Sequence, residues 1–340
     1  MRRTVLAVAA LALALPAATM SAPRGKLELL TWEGYAQKQW VLPFEHASNC
    51  SVTATYARSP ADMPNSLRKQ RGRFDLVSAS GDISGSLIRE RLVRPIDRSR
   101  VPAERNLFQP LRSLTAAGGA QYGIATLWGA NLLLYRPDKV AGFPTWGAIY
   151  DERYRGKVTV PDNPLQIADA ALHLGVLDPF RLTKAQLASA VALLKRQRLL
   201  VSSYWRYASD EVTLFDDGRA WIGPGWQWQA RQLADKDVDV RTVVPREGAT
   251  AWVDSWMLAA GARDERCAYA WLRWISAPAA QAALARDFGG QPANRLACRP
   301  GLCSEARFIS SLKFWKTPGF GCPRCAGVEA WQRAWVDVRR

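Results

Sequence analysis

Histidine is nearly absent from this chain: two occur in 340 residues. His46 lies in the polar end of a helical stretch and His173 on an amphipathic helix, and neither has a nucleophile motif around it. Gly-x-Ser-x-Gly, a phosphate loop and a histidine metal cluster are all missing, so the chemistry those motifs support has no footing here. Paired carboxylates of the glycosidase kind have no support either. After the first twenty or so residues no apolar run is long enough to span a bilayer, which takes about 20 residues. Internal repeats and low-complexity tracts are absent as well. Acids are scarce relative to bases, 30 against 46, giving a net charge of +16. A nucleic-acid or anionic-surface partner is one reading of that excess. The basic residues are scattered through the whole chain without a dense block or stripe, so a basic solvated surface is expected and no nucleic-acid partner.

What is present begins with an address. Met1-Arg2-Arg3, an apolar run from Val5 to Ala18 and small residues up to Ala22 have the layout of a cleaved secretory signal covering residues 1–22. No cysteine stands at the end of the run for lipid attachment, and the arginine pair lacks the fuller twin-arginine context. Loss of Arg2 and Arg3 with the leader leaves a charge of +14. A free periplasmic protein is therefore expected. Roughly 320 residues remain, more than one core usually organises, which predicts two lobes of about 150 residues.

Six cysteines, an even number in an oxidising compartment, predict disulfides. Cys298 and Cys303 bracket Arg299-Pro300-Gly301-Leu302, and Cys322-Pro323-Arg324-Cys325 follows Gly319-Phe320-Gly321. These four read as two local staples or a crossed pair of bridges, with a four-thiolate zinc site and a Cys-x-x-Cys redox motif as the functional alternatives. Cys50 and Cys267 are left over and pair only if their segments meet.

The order of elements is that of an α/β protein. Leu27 to Thr31, Ser51 to Tyr56 and Phe74 to Val77 read as strands, the last ending at Ser78-Ala79-Ser80-Gly81-Asp82. Helical spacing marks Gln37 to Glu45 and a basic stretch from Ser66 to Gln70. Trp128-Gly129-Ala130-Asn131 reads as a crossing from the first lobe to the second. Beyond it, Asp162-Asn163-Pro164 opens a helix through Leu172, and Thr183 caps another running to about Gln197. Strands are expected at Trp221 to Gly225, at Val240 to Val244 and in the return segment Ala251 to Trp256. Helices are expected over Cys267 to Ile275 and Ala279 to Phe288. In open α/β sheets ligands bind beyond the carboxyl ends of strands, so Trp32 to Tyr35 and Ser80 to Asp82 are candidate site walls.

Several blocks occur in a telling order: Leu30 to Tyr35 (Leu-Thr-Trp-Glu-Gly-Tyr), Arg71 to Val77 followed by Ser80, Leu92 to Asp97, Tyr122 to Gly129, Tyr154 to Lys157, Asp217 to Trp226, and Pro245 to Ser255. Together they resemble the spermidine/putrescine-binding branch of bacterial extracellular solute-binding proteins over nearly the whole mature chain. The resemblance implies a type II periplasmic-binding-protein fold: two α/β lobes, each a mixed sheet flanked by helices, with a ligand cleft between them. Lobe 1 would comprise residues 26–128 plus 250–294, and lobe 2 residues 129–249 plus 295–340. It implies a monomer without cofactor or catalytic residues that hands a small solute, an amine, to an ABC transporter permease in the inner membrane.

By the same resemblance the cleft would be walled by Trp32, Tyr35, Ser80, Ser209, Trp226, Trp252 and Asp254. A buried ammonium gains about 2 kcal/mol or more from an aromatic face, and a carboxylate adds a charge-assisted hydrogen bond. Asn163 and Gln166 stand, both neutral, where the family has its second acidic pair, and Asp82 and Gly290 stand for two tyrosines. Asp82 either restores a charge or caps the helix after it, and capping is the expected role. Amino acids, betaines and small anions stay open as ligands, and a thiol/redox or sensor role of the C-terminal cysteines stays open as a different class. Fifteen tryptophans are mostly core: Trp40, Trp146, Trp271 and Trp274 are expected there, and only the resemblance sets Trp32, Trp226 and Trp252 apart.

Overall fold

The computed structural model describes residues 24–340 except 33, 58–59, 143, 300–302, 304–305, 307–308 and 311; the proposed leader at 1–22 lies outside them. Two large sheets organise the chain. The first runs in the order Gln291–Pro292, Gly123–Ala130, Thr250–Ala259, Leu76–Ser80, Gly25–Thr31, Cys50–Tyr56, with Val93–Arg94 and Lys313–Phe314 added along Thr250–Ala259. The second runs Val201–Trp205, Val158–Pro161, Ile222–Gly225, Leu132–Tyr135, Arg241–Val243. Both are mixed: Gly25–Thr31 pairs parallel with its neighbours, while Thr250–Ala259 is antiparallel to Leu76–Ser80 and Gly123–Ala130.

Sequence chemistry explains the layout. Gly123–Ala130 is buried at every position, as expected of an apolar strand covered on both faces. Helix Glu265–Ser276 buries Trp271 against Trp256 and Phe44, ring centroids 5.5 and 4.9 Å away in edge-on geometry. Thr183 starts helix Lys184–Gln197 with a full capping box: its hydroxyl accepts from Gln186 N, and Gln186 Oε1 accepts from Thr183 N. No helix of the described residues is long and apolar enough to cross a membrane.

The third strand is the main correction to the expected elements. It runs Leu76–Ser80 rather than stopping at Val77, because Asp254 to Leu258 supply ladder partners for the small polar residues that read as a loop. The helix after Pro161 begins at Gln166, since Asn163 Oδ1 accepts from Leu165 N and holds a turn first. All six cysteines are bridged: Cys50–Cys267, and locally Cys298–Cys303 and Cys322–Cys325. This removes the crossed pairing, and a four-thiolate zinc site has no thiolates left to use.

The passage between the sheets is short. Gly123–Ala130 ends in the first sheet, Asn131 turns, and Leu132–Tyr135 begins in the second. The returning strand Thr250–Ala259 starts beside that turn, and Asn131 N donates to Thr250 O at 2.8 Å.

Candidate functional site

Asp254 lies opposite Ser80 in the antiparallel pair of the first sheet, where Leu76–Ser80 ends and helix Gly81–Arg89 begins. Its carboxylate is 8 % exposed and accepts from the Tyr35 hydroxyl at 2.6 Å and from the Trp32 side chain. Burial pushes its pKa up to about 7; the Tyr35 and Trp32 hydrogen bonds pull it down, and the negative charge of Asp82 pushes it up further. Asp82 is as buried, and desolvation raises its carboxyl to about 6 against the pull of the Ser80 hydroxyl, 2.5 Å away. Burial, with Asp254 beside it, also raises the Tyr35 phenol, which keeps it a donor.

Asp82 does not occupy the N-cap. Ser80 does, and Asp82 sits two residues on, inside the first turn, where its carboxylate meets the backbone N–H groups of Asp82 and Ile83. It both tends the helix terminus and lies near enough to Asp254 for its charge to raise the pKa of that acid. Thus Trp32, Tyr35, Ser80, Asp82 and Asp254, taken from three separate stretches of sequence, form one cluster.

Trp252, two residues before Asp254 on the same strand, is half-buried in a slot between two glycines. A methyl group on Gly129 or Gly290 would lie 2.9 Å from its ring. Gly290 therefore has no room for the side chain that the resemblance expects there, since Trp252 fills that space. Trp226 comes from the other sheet, at the end of Ile222–Gly225. Its ring meets Trp205 edge-on at 5.5 Å and its indole N–H donates to Asn131 Oδ1 at 2.8 Å. Among the described residues, Trp226 and Trp252 are the half-buried side chains that pack against both large hydrophobic clusters.

Ser209 stands apart. It is exposed in the first turn of helix Ala208–Asp216, its carbonyl accepts from Thr213, and no hydrogen bond or ring contact among the described residues joins it to the other candidates. Asn163 is spent on its turn, and Gln166 donates to Asp169 at 3.3 Å.

Two buried acids of the second half were missed in the sequence. Asp169, 2 % exposed, accepts from the Thr250 hydroxyl at 2.6 Å, and burial lifts it to about 7. Glu211 is fully buried, which holds its carboxyl well above the usual range; Gln229 Nε2 donates to it, and Gln229 Oε1 in turn accepts from Trp226 N. One signal existed for Asp169, a lone charge within the run Ile167 to Leu172. Glu211, in an ordinary helical pattern, gave none.

The sequence profile of bacterial extracellular solute-binding proteins matches residues 39–298. The chain belongs to this family. Among its relatives, the spermidine/putrescine-binding periplasmic protein 1 of Haemophilus influenzae is 22% identical over 251 residues, covering 73% of this chain and 69% of that one. The putrescine/cadaverine-binding protein of Pseudomonas aeruginosa is 25% identical over 269 residues, 74% of each chain. In three dimensions the chain is similar to the PotD lipoprotein of Treponema pallidum, with TM-score 0.76, 20% identity and coverage of 92% of this chain and 99% of the other. It is equally similar to MotA of A. tumefaciens, solved with glucopine: TM-score 0.76, 17% identity, coverage 93% and 100%. These likenesses establish the two-lobed solute-binding fold of the family for this chain, and the family's proteins bind solutes rather than transform them.

Proposed function

We propose that this member of the family is the periplasmic binding component of an ABC importer and that it closes on a small organic cation of the polyamine-like kind. The observation that carries the reading is the pair Asp82 and Asp254: two buried carboxylates gathered about Ser80, the charge of one felt by the other, with no lysine or arginine ion-paired to either among the described residues. Burying uncompensated carboxylates is costly, and an ammonium placed between them would offset that cost while Trp32 and Tyr35 offer aromatic faces. The names of relatives that bind spermidine, putrescine and cadaverine agree with that chemistry. Trp226 and Trp252 would line the aliphatic body of the solute, each methylene buried contributing about 0.8 kcal/mol.

Asp254 lies in the first sheet and Asp82 in the helix that follows its strand Leu76–Ser80, while Asn163 and Gln166 of the second half are neutral and already engaged within the chain. This favours a solute with one cationic end and a polar or apolar far end over one charged at both. The lobes would be residues 26–128 plus 250–294 and 129–249 plus 295–340, hinged where the chain crosses near Asn131, Thr250 and Asn294. Ligand would stabilise the closed form that the permease recognises. The leader would be removed near residue 22, and the mature protein would act as a monomer by binding alone.

A thermal-shift and calorimetric screen of putrescine, spermidine, cadaverine, monoamines, amino acids, betaine and small anions tests the reading. Amines are expected to raise the melting temperature. A shift with anions and none with amines would sink the cation assignment.

A further inference from the structure

Behind Trp226 runs a chain of buried hydrogen bonds that the binding reading does not use. Trp226 Nε1 donates to Asn131 Oδ1 at 2.8 Å, Asn131 Nδ2 donates to Thr250 Oγ1 at 2.5 Å, and Thr250 Oγ1 donates to Asp169 Oδ1 at 2.6 Å. Trp315 Nε1 approaches the same hydroxyl at 3.4 Å. A hydroxyl has one proton to give and two lone pairs to fill. Two N–H groups pointing at Thr250 Oγ1 fill both lone pairs, so its proton must go to Asp169, and every bond in the chain has a fixed direction.

The members come from different crossings. Asn131 is the turn between Gly123–Ala130 and Leu132–Tyr135, Thr250 opens the strand that returns, and Trp315 follows Lys313–Phe314 in the tail. Asp169 belongs to helix Gln166–His173 of the second half. Asn131, Thr250 and Asp169 are all nearly or wholly buried, so water offers no substitute partner if one bond breaks.

Resting on the reading of Trp226 as a solute wall, we propose that Asn131 is a positioning residue of the solute site: backed by Thr250 and Asp169, it ties the indole of Trp226 to the strands about which the halves turn. The wall then takes its binding position only when the crossings have the arrangement seen here. Asn131 touches no solute itself; it acts through the Trp226 N–H.

The test has two arms. In the ligand-free protein with nitrogen-15 tryptophan, the Trp226 indole resonance, assigned with Trp226→Phe, is expected to move in Thr250→Val and Asn131→Ala while the Trp40 indole, bonded to Gly34 O, stays in place. An unmoved Trp226 resonance in Thr250→Val overturns the proposal without any ligand. In the second arm n-butylamine, a solute with one cationic end, is titrated into wild type, Trp226→Phe, Asn131→Ala and the double variant. Each single change is expected to weaken binding about tenfold and the double no further, because both remove one shared hydrogen bond. Additive losses overturn the positioning role. If Trp226→Phe binds as well as wild type, or if wild type binds neither n-butylamine nor putrescine, it is the solute reading that fails, and the resonance arm still decides the relay.

Discussion

The hydroxyl of Tyr35 donates to Oδ2 of Asp254 at 2.6 Å across 219 residues of sequence. The bond draws the loop after the first strand onto the middle of the long central strand Thr250–Ala259, and it lowers the pKa of a carboxylate that burial raises. A cation needs that carboxylate ionised. Since Asp254 sits at about 7 and Asp82 at about 6 in the empty protein, binding must expel protons at acidic pH. Affinity for an amine is therefore expected to rise between pH 5.5 and pH 8 and level off above. Calorimetry in buffers of different ionisation heat should show proton release that fades toward pH 8. A flat affinity across that range removes Asp254 as the anchor.

The sign for stability without ligand is the reverse. An acid whose folded-state pKa is raised holds its proton more tightly folded than unfolded. Its contribution is full below the unfolded value near 4 and is lost as pH climbs to about 7. Asp254→Asn removes the ionisation, so the variant should melt above wild type at pH 8, by an amount on the order of 2 to 4 kcal/mol, and the gap should close toward pH 4. In the same variant amine binding should fall at least a hundredfold, the loss typical when a buried charge pair loses one partner. A variant that melts lower at pH 8 would show that Asp254 is not strained by burial.

These two outcomes rest on residues that were visible in the sequence to different degrees. Local chemistry was legible: Thr183 announces a capped helix, and Cys298 with Cys303 and Cys322 with Cys325 read as local staples, whereas the meeting of Cys50 and Cys267 across 217 residues could be seen only in the fold. Trp32, Tyr35 and Ser80 stood out as residues beyond expected strand ends, while Asp254 was picked out only because its block occurs in a recognisable order. Ser80 and Asp82 were misjudged because small polar residues read as a loop until the neighbouring strand supplies ladder partners. Asn131 and Thr250 were invisible as a pair, since 119 residues separate them and neither breaks a pattern. What joins them is the crossing geometry, which no window of sequence contains.

The slot that holds Trp252 makes a steric prediction. A methyl at Gly290 or Gly129 would lie 2.9 Å from its ring, closer than real side chains approach, and at Gly290 the carbonyl of Trp128 is 3.3 Å away as well. Gly290→Ala should displace the indole, lower stability by about 1 to 3 kcal/mol and weaken solute binding. In a Trp252→Ala background the stability cost of Gly290→Ala should shrink to near zero, because the obstructing ring is gone. Melting curves of the four proteins give the result, and an undiminished cost would mean that the glycine serves the backbone and not the tryptophan.

The Cys50–Cys267 bridge should be the stabilising one of the three. It spans 217 residues and ties the start of strand Cys50–Tyr56 to the first turn of helix Glu265–Ser276, whereas the other two close loops of 5 and 3 residues. Loop-closure entropy grows with the length closed, so the long bridge is worth roughly 2 to 5 kcal/mol and the short ones less. Its surroundings are tight: a methyl on Gly25 would lie 2.5 Å from Cys267 Sγ and 2.7 Å from Asp264 Oδ2, the residue that caps the helix. Replacing Cys50 and Cys267 together by alanine should therefore lower the denaturant midpoint well beyond the effect of replacing Cys322 and Cys325 together. Because the bridge lies at the amino end of the first strand, away from Tyr35 and Asp254, solute affinity at low temperature should stay within about twofold of wild type. A fall in affinity comparable to the fall in stability would mean that the bridge also shapes the cluster around Asp254.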